Sequence, residues 1–333
     1  MDHRPELLRI ENLGKVFSLS AGLFARPFTL TALTDINFTI RQGETLGIVG
    51  ESGCGKSTLG RCILNLLTPD SGRVVWMGED ITHLPEAAMR KRRRDLQIIF
   101  QDPLASLNPR MTVGEIIGDP LRTLMPEMKA AERQQRVVKT MEAVGLLPEM
   151  INRYPHEFSG GQAQRIGIAR ALITEPKLIV CDEPVSALDV SIQAQILNLL
   201  ADLKEQFGLT LIFISHNLSV VRHVSDRILV LYLGRMVELT DGDELYNHPK
   251  HPYTRALLTA VPVPDPQRAR QRNIEGLVGE IPSPINPPSG CAFRTRCRFA
   301  IGLCAEQRPP LENTGTGLVA CHRWKELELA AGA

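Results

Sequence analysis

Leu46-Gly47-Ile48-Val49 runs directly into Gly50-Glu51-Ser52-Gly53-Cys54-Gly55-Lys56-Ser57-Thr58, and the fold can be read outward from this junction. A short apolar run gives way to G-x-x-x-x-G-K-S, after which Leu59, Cys62, Ile63, Leu66 and Leu67 recur at helical spacing. The pattern predicts a strand, a tight loop and an amphipathic helix. Gly50, Gly53 and Gly55 let the backbone curl so that successive N–H groups point inward at phosphate oxygens, and the helix N-terminus adds its partial positive charge. Lys56 then reaches the β- and γ-phosphates, Ser57 ligates Mg²⁺, and Ser52, Cys54 and Thr58 complete the nucleotide-binding stretch. A glycine-rich strand-to-helix turn with no ligand is the plainer alternative, and the correct flanks on both sides argue against it.

A phosphate loop needs acids to organise metal and water, and Leu178-Ile-Val-Cys-Asp182-Glu183 supplies them. Four apolar residues ending in two acids place Asp182 at the carboxyl end of a buried strand, where ligands of open α/β sheets bind. Asp182 would hold Mg²⁺, and Glu183 would polarise the attacking water as general base. Further on, Ile192, Ile196, Leu199, Leu200, Leu203 and Phe207 mark a helix, and Leu211–Ile214 and Ile228–Leu233 read as strands. Apolar strands separated by amphipathic helices predict a largely parallel sheet covered on both faces. Residues 102–176 break the rhythm with helical patterns such as Glu132–Leu147 and read as an inserted helical subdomain. Arg90-Lys-Arg-Arg-Arg94 before it reads either as a solvated helix face or as an anionic docking patch.

The remaining composition limits the function. In 333 residues, 38 Lys+Arg stand against 37 Asp+Glu, a net charge of +1, so the basic excess of a nucleic-acid binder is missing. The N-terminal residues lack the apolar core of a signal peptide, and the longest apolar runs fall well short of the roughly 18 residues that cross a bilayer. A soluble, cytosolic chain is expected. Nine of the 23 prolines fall between Pro262 and Pro310, including Val261-Pro-Val-Pro-Asp-Pro266, and resist regular structure. Residues 1–255 therefore read as the main domain, and 256–333 as a Pro-rich linker ending in a small module. That module carries Cys291, Cys297, Cys304 and Cys321, four of the seven cysteines, and reducing conditions argue against a disulfide framework.

Further motifs follow in a fixed order. Phe158-Ser159-Gly160-Gly161-Gln162 precedes an amphipathic helix, Gln101 follows Ile98-Ile-Phe100, Ser186-Ala-Leu-Asp189 follows the acidic pair, and His216 follows Phe213-Ile-Ser215. On these motifs the chain resembles the ATP-binding subunits of ABC transporters. The resemblance implies a P-loop NTPase fold with an antiparallel β portion near the N-terminus and a small irregular Cys-rich extension at the C-terminus. It assigns Gln101 to the Q-loop and the Mg²⁺ site, His216 to the switch histidine beside Glu183 in catalysis, and Phe17 to stacking on adenine. Phe17 reads equally as a core strand residue. Ser159, Gly160, Gly161 and Gln162, with Asp189 of the D-loop, would act on the nucleotide bound to a partner subunit, so that ATP joins two subunits and hydrolysis releases them.

Gln101-Asp-Pro-Leu-Ala-Ser-Leu-Asn-Pro-Arg110, Ala187–Gln195, His251-Pro-Tyr-Thr254 and Pro-Pro-Ser-Gly-Cys291-Ala-Phe resemble the oligopeptide/dipeptide importer ATPases, in particular the second of their two paired ATP-binding subunits. Asn217 stands where that pattern has Asp. Tyr253 is expected to pack on the domain. The implied partners are a paralogous ATP-binding subunit, two transmembrane permease chains and an external substrate-binding protein, with this chain peripheral at the cytoplasmic face of the membrane and no nucleic acid bound. A nickel importer ATPase is the near alternative; a non-transport ABC ATPase would need a second nucleotide domain or long coiled coils. The four thiols read as ligands of a [4Fe–4S] cluster, with Arg294, Arg296 and Arg298 offsetting its charge, with zinc, aided by His322, as the alternative, or as reduced packing residues. A redox or metal sensor built on that module is a further reading.

Overall fold

The computed structural model describes residues 4–19, 28–260 and 279–327. The proline run 261–266 lies outside the described residues. Two long strands, β1 (Glu6–Leu19) and β2 (Phe28–Arg41), come first. β3 (Thr45–Val49) is buried at every position and passes through the glycine loop into α1 (Lys56–Ile63). β4 (Ser71–Trp76), β5 (Glu79–Asp80), α2 (Glu86–Arg92) and β6 (Leu96–Ile99) follow. Then come α3 (Val113–Leu124), α4 (Ala130–Ala143) and α5 (Gly160–Leu172), the second and third separated by two short 3₁₀ turns. The alternation resumes with β7 (Leu178–Asp182), α6 (Val190–Phe207), β8 (Thr210–Ile214), α7 (Leu218–Val224), β9 (Arg227–Tyr232) and β10 (Arg235–Asp241). Last are α8 (Gly242–Asn247), α9 (Pro252–Thr259), α10 (Gly302–Glu306), β11 (Glu312–Asn313) and β12 (Gly317–Val319).

Local chemistry explains the boundaries. Thr112 caps α3 in a reciprocal box with Glu115, which satisfies two otherwise orphan N–H groups. α6 ends where Gly208 adopts a φ of 63°, a left-handed conformation that costs glycine little. α1 stops sooner than its apolar pattern suggests. Asn65 takes a φ of 51° and its side chain donates to the carbonyl of Ile81, so Leu66 leaves the helix and stands 46% exposed.

The chain divides into two compact units. The first takes its described residues from Met1–Leu7, Ile40–Thr45 and His83–Ile214. In it β6, β7 and β8 pair in parallel, with Leu96 opposite Leu178 and Leu178 opposite Thr210. Every residue of β7 and β8 is buried, as expected of parallel strands covered on both faces. The helices 113–172 belong to this unit, and α5 packs on α3, α4 and α6. Arg93 of the basic run pairs with Glu86 at 3.1 Å, and Arg90 donates to the carbonyl of Thr123.

The second unit takes its described residues from Leu8–Thr39, Leu46–Thr82 and Ser215–Ala333. Here β1 pairs antiparallel with β4, within the order β2-β1-β4-β5. β3 pairs in parallel with β9, while β10 runs antiparallel to β9. The C-terminal module adds β12 to the other edge of β10, and β11 to β12. Parallel strands between helices, with an antiparallel N-terminal sheet, are the fold class expected. No helix among the described residues is long and apolar enough to cross a membrane.

Candidate functional site

The phosphate loop lies in the second unit. Gly50, Gly53 and Gly55 have φ values of 152°, 76° and 104°, which L side chains rarely adopt. At Gly50 there is also no room, because a Cβ there would strike the Leu231 carbonyl and lie 2.7 Å from the Cys54 sulfur. Gly55 occupies the N-cap of α1, so no side chain caps that helix, and its first turn holds no acid. The free helix N-terminus suits an anion. Lys56 is 5% exposed, and its ammonium donates to the carbonyls of Gly50 at 2.8 Å and Glu51 at 3.1 Å, which holds it inside the curl of the loop. Burial raises the pKa of the Cys54 thiol, against the lowering effect of Lys56, so this cysteine is an inert wall of the loop.

In the same unit, Phe17 is half-buried on β1, with the Lys15 ammonium 5.4 Å from its ring centre. His216 is exposed and follows Ser215, whose N–H donates to the Ile48 carbonyl at 3.1 Å. Asn217, the departure from the pattern, caps α7 by accepting from the Ser219 N–H at 3.0 Å. An aspartate would cap equally well, so the substitution leaves this turn intact.

The acids lie in the first unit. Asp182 ends β7 and is 4% exposed. Glu183 has a φ of 48°, uncommon for a residue with a side chain, and is held by its N–H donating to Ile214 and by the Ser186 hydroxyl donating to its carbonyl. Its carboxylate accepts from the Gln101 side-chain amide at 3.0 Å, which joins two residues 82 positions apart. Ser159 caps α5 in a reciprocal box with Gln162. Gly160 and Gly161 open that helix, and a Cβ on Gly161 would lie 2.6 Å from Ile192 of α6. The glycine therefore has a packing reason as well as a chemical one. Asp189 and Val190 open α6, both exposed, Val190 at 82%.

The cysteine module belongs to the second unit. Cys291, Cys297, Cys304 and Cys321 line one small cavity of about 20 Å³. Burial raises Cys291 and Cys321 to about 11, and negative charge on neighbouring cysteines adds to the shift. Four thiolates coexist there only beside a strong cation. Among the described residues, no group of three or more His, Cys, Asp or Glu is arranged to hold a metal ion. His322 Nε2 donates to the Gln307 carbonyl at 3.0 Å.

The arginines expected to offset a cluster's charge are engaged elsewhere. Arg294 donates to Ser289, and the Arg298 guanidinium sits 4.6 Å over the Phe299 ring. Arg296 pairs with Glu51 of the phosphate loop, through Nη1–Oε2 at 2.6 Å and Nη2–Oε1 at 3.0 Å. Tyr253 is fully buried against Tyr232 and Phe293, and its hydroxyl accepts from the Glu51 N–H at 2.9 Å. Tyr253 thus packs on the domain as expected, while no local pattern marks Glu51 as the shared partner of Arg296 and Tyr253.

A glycine loop opening a helix, and an acidic pair ending a buried parallel strand, define a nucleotide-binding protein of the P-loop class. Residues 33–186 match the family described as ABC transporter, and residues 237–304 match the oligopeptide/dipeptide transporter, C-terminal region. Over 319 residues the chain is 56% identical to the oligopeptide transport ATP-binding protein OppF of Haemophilus influenzae, covering 95% of this chain and 96% of that one. It is 52% identical to the oligopeptide transport ATP-binding protein AppF of Bacillus subtilis, covering 95% and 97%. Among solved structures, the dimeric ATP-binding cassette MJ0796 bound to ADP and Pi is 30% identical, with a TM-score of 0.62 over 71% of this chain and 98% of that one. The chain belongs to the ATP-binding proteins of ABC transporters, in their oligopeptide/dipeptide branch.

Proposed function

We propose that this chain is the ATP-binding subunit of an importer for di- or oligopeptides, hydrolysing ATP at an interface with a second ATP-binding subunit. The match along nearly its whole length to oligopeptide transport ATP-binding proteins carries the reading. Backbone N–H groups of Gly50–Thr58 and the α1 N-terminus receive the phosphates, and Lys56 turns its ammonium from the loop carbonyls to phosphate oxygens. Ser57, Asp182 and Gln101 would hold Mg²⁺, which would supply positive charge against that developing on the transferred phosphoryl group. Glu183 accepts the proton of the attacking water, with Gln101 orienting its carboxylate, and His216 serves as the switch histidine. Phe17 stacks on the base. Ser159–Gln162 and Asp189 face the nucleotide held by the partner, so closure requires two chains.

Two permease chains and an external substrate-binding protein complete the assembly, which keeps this chain at the cytoplasmic face of the membrane. The four thiols would hold a [4Fe–4S] cluster, which would supply a staple for a module too small for its own core. The soft donor set of four thiols lining one pocket is what supports this reading.

The test is reconstitution. Co-expression with the neighbouring ATPase and permease genes yields a complex whose ATP turnover exceeds that of the isolated chain and which imports labelled peptide in an ATP-dependent way. Nickel uptake without peptide uptake contradicts the substrate, and full turnover by an isolated monomer contradicts the shared site.

A further inference from the structure

We propose that Arg296, in the cysteine module, is a positioning residue for the phosphate loop: it neutralises the acid Glu51 inside that loop and fixes the peptide on which Lys56 rests. The inference depends on the reading that Gly50–Thr58 binds ATP.

Glu51 is the second residue of the loop, an awkward place for a carboxylate beside a polyphosphate. Like charges so close weaken anion binding unless one of them is compensated. Compensation comes from 245 positions away. The Arg296 guanidinium grips both carboxylate oxygens, at 2.6 and 3.0 Å, and its side chain is only 4% exposed against 20% for Glu51. A forked, largely buried pair of this kind is stronger and more directional than a surface ion pair.

The guanidinium is itself held. It lies 5.9 Å from the Tyr232 ring centre and donates to the Tyr232 hydroxyl at 3.5 Å. On the loop side, Tyr253 accepts the Glu51 N–H, while the carbonyls of Gly50 and Glu51 accept from Lys56. Side chain, N–H and carbonyl of one loop residue are all fixed, two of them by residues from the C-terminal part of the chain. Arg296 sits in the turn that presents Cys297, its own N–H donating to the Phe293 carbonyl at 3.0 Å. The order of the cysteine turn therefore determines whether Glu51 is neutralised.

The experiment is calorimetric titration of the full-length chain with Mg-ATP, with thermal melts confirming that each variant is folded. Arg296→Ala is expected to weaken ATP binding by about fivefold or more, the low end for coupled sites. Arg296→Lys, which keeps the charge and loses the fork, falls between wild type and Arg296→Ala. Adding Glu51→Gln to Arg296→Ala restores affinity to within about twofold of wild type, because the uncompensated anion is gone. Unchanged affinity in Arg296→Ala overturns the proposal. So does a double variant that binds as weakly as the single one, since a merely structural loss is not repaired by removing the acid. If wild type fails to bind ATP, or Lys56→Ala binds as tightly as wild type, the nucleotide reading itself falls instead.

Discussion

Gly161→Ala separates the packing role of the Ser159–Gln162 segment from its chemistry. A methyl group there would sit 2.6 Å from Ile192 Cγ2, a separation real Cβ atoms essentially never show, whereas one on Gly160 would meet Leu188 at an ordinary 3.4 Å. Overpacking of this kind costs about 1–3 kcal/mol. Replacing a helical glycine by alanine returns about 0.5–1 kcal/mol, less in the first turn. The net for Gly161→Ala is a destabilisation of roughly 0.5–2 kcal/mol, seen as a fall in Tm of a few degrees. Gly160→Ala keeps the propensity gain without the clash and should melt at or slightly above wild type. Calorimetric melts without nucleotide read this directly, because no phosphate chemistry takes part. Truncating Ile192 to alanine removes the methyl that is struck, so the penalty of Gly161→Ala should shrink in that background. Equal Tm values for the two glycine variants, or an undiminished penalty beside Ile192→Ala, would refute the argument.

Burial depresses His251 to about 3 from a usual value of 6.5, so below pH 6.5 the unfolded chain binds more protons and stability is lost as pH falls. His251→Asn retains an acceptor for the Tyr253 N–H and removes that loss, so its Tm should fall less than that of wild type between pH 7 and pH 5. Buried Glu238, raised to about 7, loses stability in the opposite direction as pH rises from 4.5 to 7, and it is present in both proteins, so their difference isolates the histidine. Anaerobically purified wild type should carry about four irons per chain, which vanish in Cys297→Ser. A colourless protein with one tightly bound zinc contradicts the cluster.

What the sequence made legible was whatever repeats locally. The buried runs Leu46–Val49, Leu178–Cys181 and Leu211–Ile214 became β3, β7 and β8, because a strand covered on both faces has nowhere to place a polar residue. The phosphate loop was legible because its glycines and lysine stand in one short stretch. The end of α1 was not, because Leu66 and Leu67 prolong the apolar pattern while Asn65 breaks the backbone. The addition of β11 and β12 beside β10 leaves no sequence signal, since strands of two and three residues carry no periodicity. The partner of Arg296 is hidden for the same reason. Among three arginines interleaved with cysteines, nothing local distinguishes the one that reaches Glu51, and only the folded chain brings residues 245 positions apart into a 2.6 Å contact.

The central claim is that Glu183 activates water for ATP hydrolysis at a site two ATP-binding subunits share, and Glu183→Gln in the assembled importer tests it most directly. The amide keeps the shape and loses the base, so ATP should still bind while turnover falls by about 10²-fold or more, with the two subunits trapped together in the ATP-bound state. Near-normal turnover by that variant would contradict the account.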